Sequence, residues 1–340
     1  MTLDIQLNSL ARSTGPSPTG WREQMRDAFR TPQDLLRFLD LAGMDPPVAP
    51  ASAFPMLVPR AFARRMQSGN PHDPLLRQVL PDPDEGHSRP GYSSDPVGDL
   101  DSRRAPGILH KYAGRVLLVT TGACAVHCRY CFRQQFPYAG ERALGHGWDK
   151  ALEYLEERSD VEEIILSGGD PLMLPTRRLA ALTERLSGLS SLKRLRLHTR
   201  LPIVLPDRVT KGLLEWIKKL PWTVVIVVHA NHAREFDADV DAAVARLGAA
   251  GAHLLNQAVL LAGINDSTTA LKSLMERGLE AGILPYYLHL LDRVAGAHRF
   301  DVDLARARVL VEALRRQLPG YLVPRLVCEQ AGLPYKTPYL

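Results

Sequence analysis

Apolar residues along this chain change rhythm near residue 115. From there on, short β-branched and aliphatic runs alternate with stretches whose apolar positions recur at helical spacing. The runs occupy residues 116–121, 163–167, 192–198, 223–229, 254–261 and 284–291, and helical spacing shows between them at 148–157, 178–186 and 213–220. A strand–helix unit repeated in this way predicts parallel strands with right-handed crossovers, because a twisted strand feeding a helix packs back onto the sheet only with that hand. The expected fold is α/β, a partial (β/α)6 barrel, with a doubly wound open sheet as the other architecture. In both, ligands gather beyond the carboxyl ends of the strands.

The first third of the chain reads differently. It holds more than half of the 26 prolines and only short helical patterns such as that at 32–41. Residues 80–104, rich in Pro, Gly, Asp and Ser, read as an irregular connector. The expected organisation is a partly helical N-terminal extension over 1–104, a barrel core over 105–300, and a C-terminal helix and tail over 301–340.

Composition narrows the class. With 340 residues, 45% hydrophobic and 23% charged, the chain can bury the core of a globular enzyme. No run approaches the ~18 apolar residues of a membrane span, and the first twenty residues carry no signal pattern. A cytoplasmic protein without membrane contact is expected. The net charge of +5 comes from dispersed residues, so direct nucleic-acid binding is not expected.

Three of the 4 cysteines, Cys124, Cys128 and Cys131, follow the first apolar run in a C-x3-C-x2-C pattern. A structural zinc site wants four closed ligands, and Cys328 is far away in sequence. Disulfides want an oxidising compartment and an even count. A 4Fe-4S cubane takes one thiolate per iron, so a three-cysteine loop leaves one iron open to a ligand. The Ser167-Gly168-Gly169-Asp170 turn follows the second run, and Asp292 follows the sixth. The strand-end rule puts all three segments on one rim.

The cysteine spacing, with a Gly-Gly-acid turn after the next strand, resembles the radical S-adenosylmethionine (SAM) superfamily. Lys111-Tyr-Ala-Gly-Arg115, Cys131-Phe-Arg133, Ser167-Gly-Gly-Asp-Pro171, Thr199-Arg-Leu-Pro202, Pro285-Tyr-Tyr-Leu288 and the 256–266 segment are together similar to the lysine 2,3-aminomutase family. Val58-Pro-Arg60, Pro71-His-Asp-Pro-Leu75 and Ser94-Asp-Pro-Val-Gly98 resemble its bacterial subgroup that supplies β-lysine for elongation factor P modification.

The resemblance implies an isomerase carrying a 4Fe-4S cluster, SAM and pyridoxal 5′-phosphate (PLP). It would convert L-lysine to β-lysine by adenosyl-radical hydrogen abstraction and PLP-mediated amino migration. The three cysteines would hold the cluster, and Gly168, Gly169 and Asp170 the SAM amino group, with Asp in place of the usual Glu. Lys336, by composition a solvent-facing tail residue, would carry PLP, with Tyr112 and Arg115 near its ring and phosphate. Arg133 would bind the substrate carboxylate, and Asp292 and Glu329 its ε-ammonium. Implied partners are a flavodoxin- or ferredoxin-like electron donor and, downstream, an elongation factor P ligase. The zinc-binding tail of longer relatives is not expected, so any homo-oligomer would form without structural zinc. The other readings are an aminomutase for a different amino acid, such as glutamate, and a non-enzymatic metal-bearing module.

Overall fold

The computed structural model describes residues 20–43, 54–87, 89–141 and 148–339. Residues 1–19, which include most of the stretch lacking a signal pattern, lie outside them. Ten strands form one sheet whose spatial order is the chain order. They are β1 (Arg103–Ala105), β2 (Ile108–Tyr112), β3 (Arg115–Thr121), β4 (Glu163–Gly168), β5 (Arg194–Thr199), β6 (Thr223–Val228), β7 (His253–Val259), β8 (Leu284–His289), β9 (Arg325–Cys328) and β10 (Thr337–Pro338).

Every pairing from β3 through β9 is parallel. The sheet is finished at each side by antiparallel strands, β1 and β2 at one and β10 at the other. The sheet is rolled. Lys111 on β2 bonds Glu329, the residue after β9, at 3.0 Å, and strands so far apart in the order meet only if the sheet curls. Among the described residues β1 and β10 do not pair, so the barrel is partial.

The six predicted runs are β3 to β8. The seventh parallel strand, β9, comes from beyond residue 300, after the helix Leu304–Gln317. Its four residues are too few to show a period. Strand β5 shows what the alternation does: Leu195 and Leu197 are buried in the main apolar core, while Arg196 and His198 face the barrel interior and line its cavity.

The N-terminal segment shares this core. Leu35, Leu36, Phe62, Leu75 and Leu76 belong to the same buried cluster as Leu195, Leu197 and Ile226 of the barrel. Asp73 is fully buried, accepts from Leu75 N and Leu76 N at 2.8 and 3.0 Å as a helix cap, and pairs with Arg234 at 2.7 Å. One carboxylate thus caps a short helix and ties it to the loop after β6. Among the described residues no helix is long and apolar enough to cross a membrane.

The carboxyl end of β4 is closed against that of β3 by two glycines. Gly168 has φ +113, a conformation for which a side chain is strained, and a Cβ at Gly169 would lie 2.4 Å from the carbonyl oxygen of Ala123. The approach is fixed by Gly169 N donating to Thr121 O at 2.6 Å and Asp170 N to Ala123 O at 2.8 Å. Gly169→Ala is therefore expected to destabilise the fold by about 1–3 kcal/mol. Gly212→Ala, in the helix Lys211–Lys218 with nothing within 4 Å of the added Cβ, should be neutral or stabilising by up to about 1 kcal/mol. Urea denaturation of both variants checks the pair; equal stabilities would remove the close approach as a constraint.

Candidate active site

A cavity of about 570 Å³ opens inside the roll. Each predicted site residue lines it: Cys124, Cys128, Cys131 and Arg133 after β3, Gly168, Gly169 and Asp170 at the end of β4, and Asp292 after β8. Tyr112 and Arg115 reach it from the β2–β3 turn, Glu329 from the end of β9, and Lys336 from just before β10. Parallel strands deliver the first two groups and Asp292 to one rim; the rolled edges bring the rest across.

The cysteine loop is fastened from outside the barrel. Arg129 is 1% exposed; its Nε donates to Glu85 Oε1 at 2.9 Å, its Nη2 pairs with Glu85 Oε2, and its Nη1 donates to Phe54 O at 2.7 Å. His127 bonds Pro55 O at 2.8 Å through Nδ1 and stacks on Phe54, so it faces away from the thiols. Burial, followed by the neighbouring Cys128, pushes the Cys131 thiol up to about 12. Burial, then Cys131, Asp170 and Cys128, pushes up Cys124 as well. Three cysteine sulfurs at one cavity wall can be thiolates together only beside a bound cation. Among the described residues no three His, Cys, Asp or Glu side chains converge tightly enough for a single metal ion. A cubane asks something else, a different iron for each sulfur, and the donor set fits it.

A row of alternating charges crosses the cavity wall. Lys336 pairs with Glu329 Oε2; Lys111 Nζ lies 3.0 Å from Glu329 Oε1 and 2.8 Å from Asp99 Oδ1; Arg133 Nε donates to Asp99 Oδ2 at 2.7 Å. Burial would raise the Glu329 carboxyl, but Lys336 and Lys111 hold it down at about 2. Burial likewise opposes ionisation of Asp99, and Arg133 and Lys111 overcome it. Arg133 also donates through Nη1 to Ser167 Oγ at 3.2 Å, and its Nη2 has no protein acceptor among the described residues. Asp292 stands beside the row with no ion-pair partner among the described residues. Burial pushes its carboxyl up to about 7, against the pull of Lys336.

Arg115 lies 4.5 Å over the Tyr112 ring and has no carboxylate partner among the described residues, which leaves a cation at the cavity wall. Asp170 behaves differently from the expectation for it. Its carboxylate is occupied by Thr199 Oγ1 at 2.8 and 2.9 Å, Arg200 N at 2.8 Å, Leu172 N at 3.0 Å and Leu201 N at 3.1 Å. It holds the turn after β5.

Several cavity residues carried no sequence expectation. His198 Nε2, His229 Nε2, His289 Nε2 and Gln257 Oε1 are buried without a partner among the described residues, and burial drives all three imidazoles down, His229 to about 4. Orphaned polar atoms in a cavity mark where a ligand supplies the other half of a hydrogen bond. The available signal was a polar residue inside an apolar run. Asp99 and Lys111 gave none, because their meaning lies in pairing across the roll.

The model of the radical SAM superfamily matches residues 118–268. An L-lysine 2,3-aminomutase of Escherichia coli K12 is 44% identical over 95% of this chain and 95% of its own length. Those of Haemophilus influenzae and Buchnera aphidicola are 41% and 38% identical, over 94% and 92% of this chain and 95% and 93% of theirs. With that identity across nearly the whole length, and with the cysteine loop and Lys336 in one cavity, the chain belongs to the lysine 2,3-aminomutase family of radical SAM isomerases, whose cofactors are a 4Fe-4S cluster, SAM and PLP.

Proposed function

We propose that the protein is an L-lysine 2,3-aminomutase that makes β-lysine. The observation that carries this reading is the single cavity in which the three thiols and Lys336 face acids suited to an alkylammonium and an arginine suited to a carboxylate. When bound, the cluster, SAM and PLP supply an adenosyl radical that takes a hydrogen atom from an unactivated carbon, and a π-system over which nitrogen migrates.

The chain's own residues then divide the work. Cys124, Cys128 and Cys131 hold the cluster, and the Gly168–Gly169 backbone, free of side chains, lets the SAM amino group approach. Asp170 keeps that turn in register with β5. Lys336 would anchor PLP covalently, and Tyr112 and Arg115 would serve its ring and its phosphate. Arg133, oriented by Asp99 and Ser167, presents Nη2 to the substrate carboxylate.

Glu329 holds two cations, Lys336 and Lys111. Glu329, already the acceptor of two alkylammonium groups, would offer the substrate ε-ammonium one carboxylate. Asp292 gives the second carboxylate. Two acids there would repel a glutamate side chain. The N-terminal phrases shared with the elongation factor P subgroup support a cytoplasmic role upstream of a β-lysine ligase, with a flavodoxin- or ferredoxin-like protein as electron donor.

Anaerobic incubation with dithionite, SAM, PLP and L-lysine is expected to yield β-lysine, and with L-glutamate no product; the absence of β-lysine from cluster-loaded protein would overturn the reading. Lys336→Ala should lose the absorbance of covalently held PLP while keeping its iron. Persistence of that band would reassign the anchoring lysine. The pH dependence has a definite sign: Asp292, raised to about 7, is neutral below that pH and an anion above it, and only the anion neutralises an ammonium. Hence kcat/KM for lysine should rise through about pH 7, and Asp292→Asn should lose that limb. A wild-type profile flat across neutrality would exclude Asp292 from substrate binding.

A further inference from the structure

Arg200, which follows β5, is buried and directs both terminal nitrogens into a polar knot behind the cysteine loop. Nη1 lies 2.7 Å from Cys128 Sγ and 2.7 Å from Tyr130 Oη; Nη2 lies 2.6 Å from Gln78 Oε1 and 3.0 Å from Glu235 Oε2. Its backbone N–H is held by Asp170, and its guanidinium lies 5.3 Å from the Phe62 ring. Glu235 and Tyr130 are themselves held in place. Glu235 is fully buried and also accepts from Asn231 N at 2.9 Å, and Asn231 Nδ2 donates to Tyr130 Oη at 2.6 Å.

We infer that Arg200 sets the reduction potential of the cluster by donating a charge-assisted hydrogen bond to the Cys128 sulfur. The inference rests on Cys128 as a cluster ligand and goes beyond the proposed reaction, in which Arg200 has no part. One electron from an external reductant, dithionite in the test below, takes a 4Fe-4S cluster with three thiolates from one net negative charge to two. A cation on a ligand sulfur stabilises the more negative state more, so it makes the potential less negative. The orientation matters. Glu235 sits on Nη2, so the guanidinium turns its positive Nη1 edge to the sulfur and its neutralised edge away. Low dielectric in the buried knot keeps this arrangement from being screened.

The test reads the potential directly, without SAM, PLP or lysine, so a failure of the aminomutase reading cannot disguise it. Anaerobically reconstituted wild type, Arg200→Met, Arg200→Lys and Glu235→Gln are titrated with dithionite and followed by electron paramagnetic resonance, with iron and sulfide content measured on the same samples. Arg200→Met is expected to move the midpoint to a more negative potential, on the order of tenfold in the reduced-to-oxidised ratio or ~59 mV for a one-electron couple. Arg200→Lys should restore part of the shift. Glu235→Gln, which keeps the donor and removes its counter-anion, should move the midpoint the opposite way. An unchanged midpoint in fully loaded Arg200→Met overturns the inference. If that variant does not assemble a cluster, Glu235→Gln decides: an unmoved or more negative midpoint overturns it equally. A wild type that binds no iron would instead refute the assignment of the cysteines.

Discussion

Burying charge without pairing it is the cost that shapes this site. Lys336, Glu329, Lys111, Asp99 and Arg133 alternate in sign along the cavity wall, and each is buried or nearly so. Such groups lose their hydration, and only partners held at hydrogen-bond distance offset the loss. The partners come from the connector, β2, the loop after β3, the end of β9 and the segment before β10. Electrostatics inside the roll therefore specifies how far the sheet must curl. Asp292, left outside the row, shows the alternative: without an ion pair among the described residues, its carboxyl is pushed by burial up to about 7.

The same demand explains the N-terminal segment. Arg129 lies within the cysteine loop and Arg200 packs behind it, and the groups that satisfy them include Glu85 and Gln78, both from before the first strand. Gln78 accepts from Arg200 and Asn231 and donates to Glu235, while its backbone oxygen accepts from Arg129 N at 2.9 Å. A segment that reads as a Pro-rich appendage thus supplies the polar backing for the metal-binding loop. Its apolar side, Phe62 and Leu75 among it, closes the same core as the barrel strands.

Much of this was legible in residue order, and the limits were physical. Strands such as β4 and β6 showed as continuous apolar runs because a strand covered on both faces is apolar along its length, while β5 showed as an alternation because one of its faces lines the cavity. The cysteine loop and the Gly-Gly turn showed because their chemistry is local. Strand β9 was invisible because four residues carry no period. Lys336 looked like a solvent-exposed tail, and the pairing of Thr337 and Pro338 with β9, with Tyr339 Oη 3.0 Å from Cys328 Sγ, is what fixes it in place. Arg200 and Glu235 sit on adjoining strand-end segments and still gave no sign, since a charge in sequence does not reveal which side of the barrel it will face. Asp170 was recognised as important, but the hydrogen bonds that occupy its carboxylate exist only once β4 and β5 lie side by side.

The bond between Lys111 and Glu329 joins residues separated by 218 positions. During synthesis the strands emerge in the order in which they lie in the sheet, so each can add to the growing edge of its predecessor. The pocket is the exception to this sequential assembly. Its floor is made early and its closing wall last, and a nascent chain that has not yet released β9 holds three thiols and an arginine fork facing open water. The cavity is therefore complete only once β9 and the segment before β10 have joined the rolled sheet.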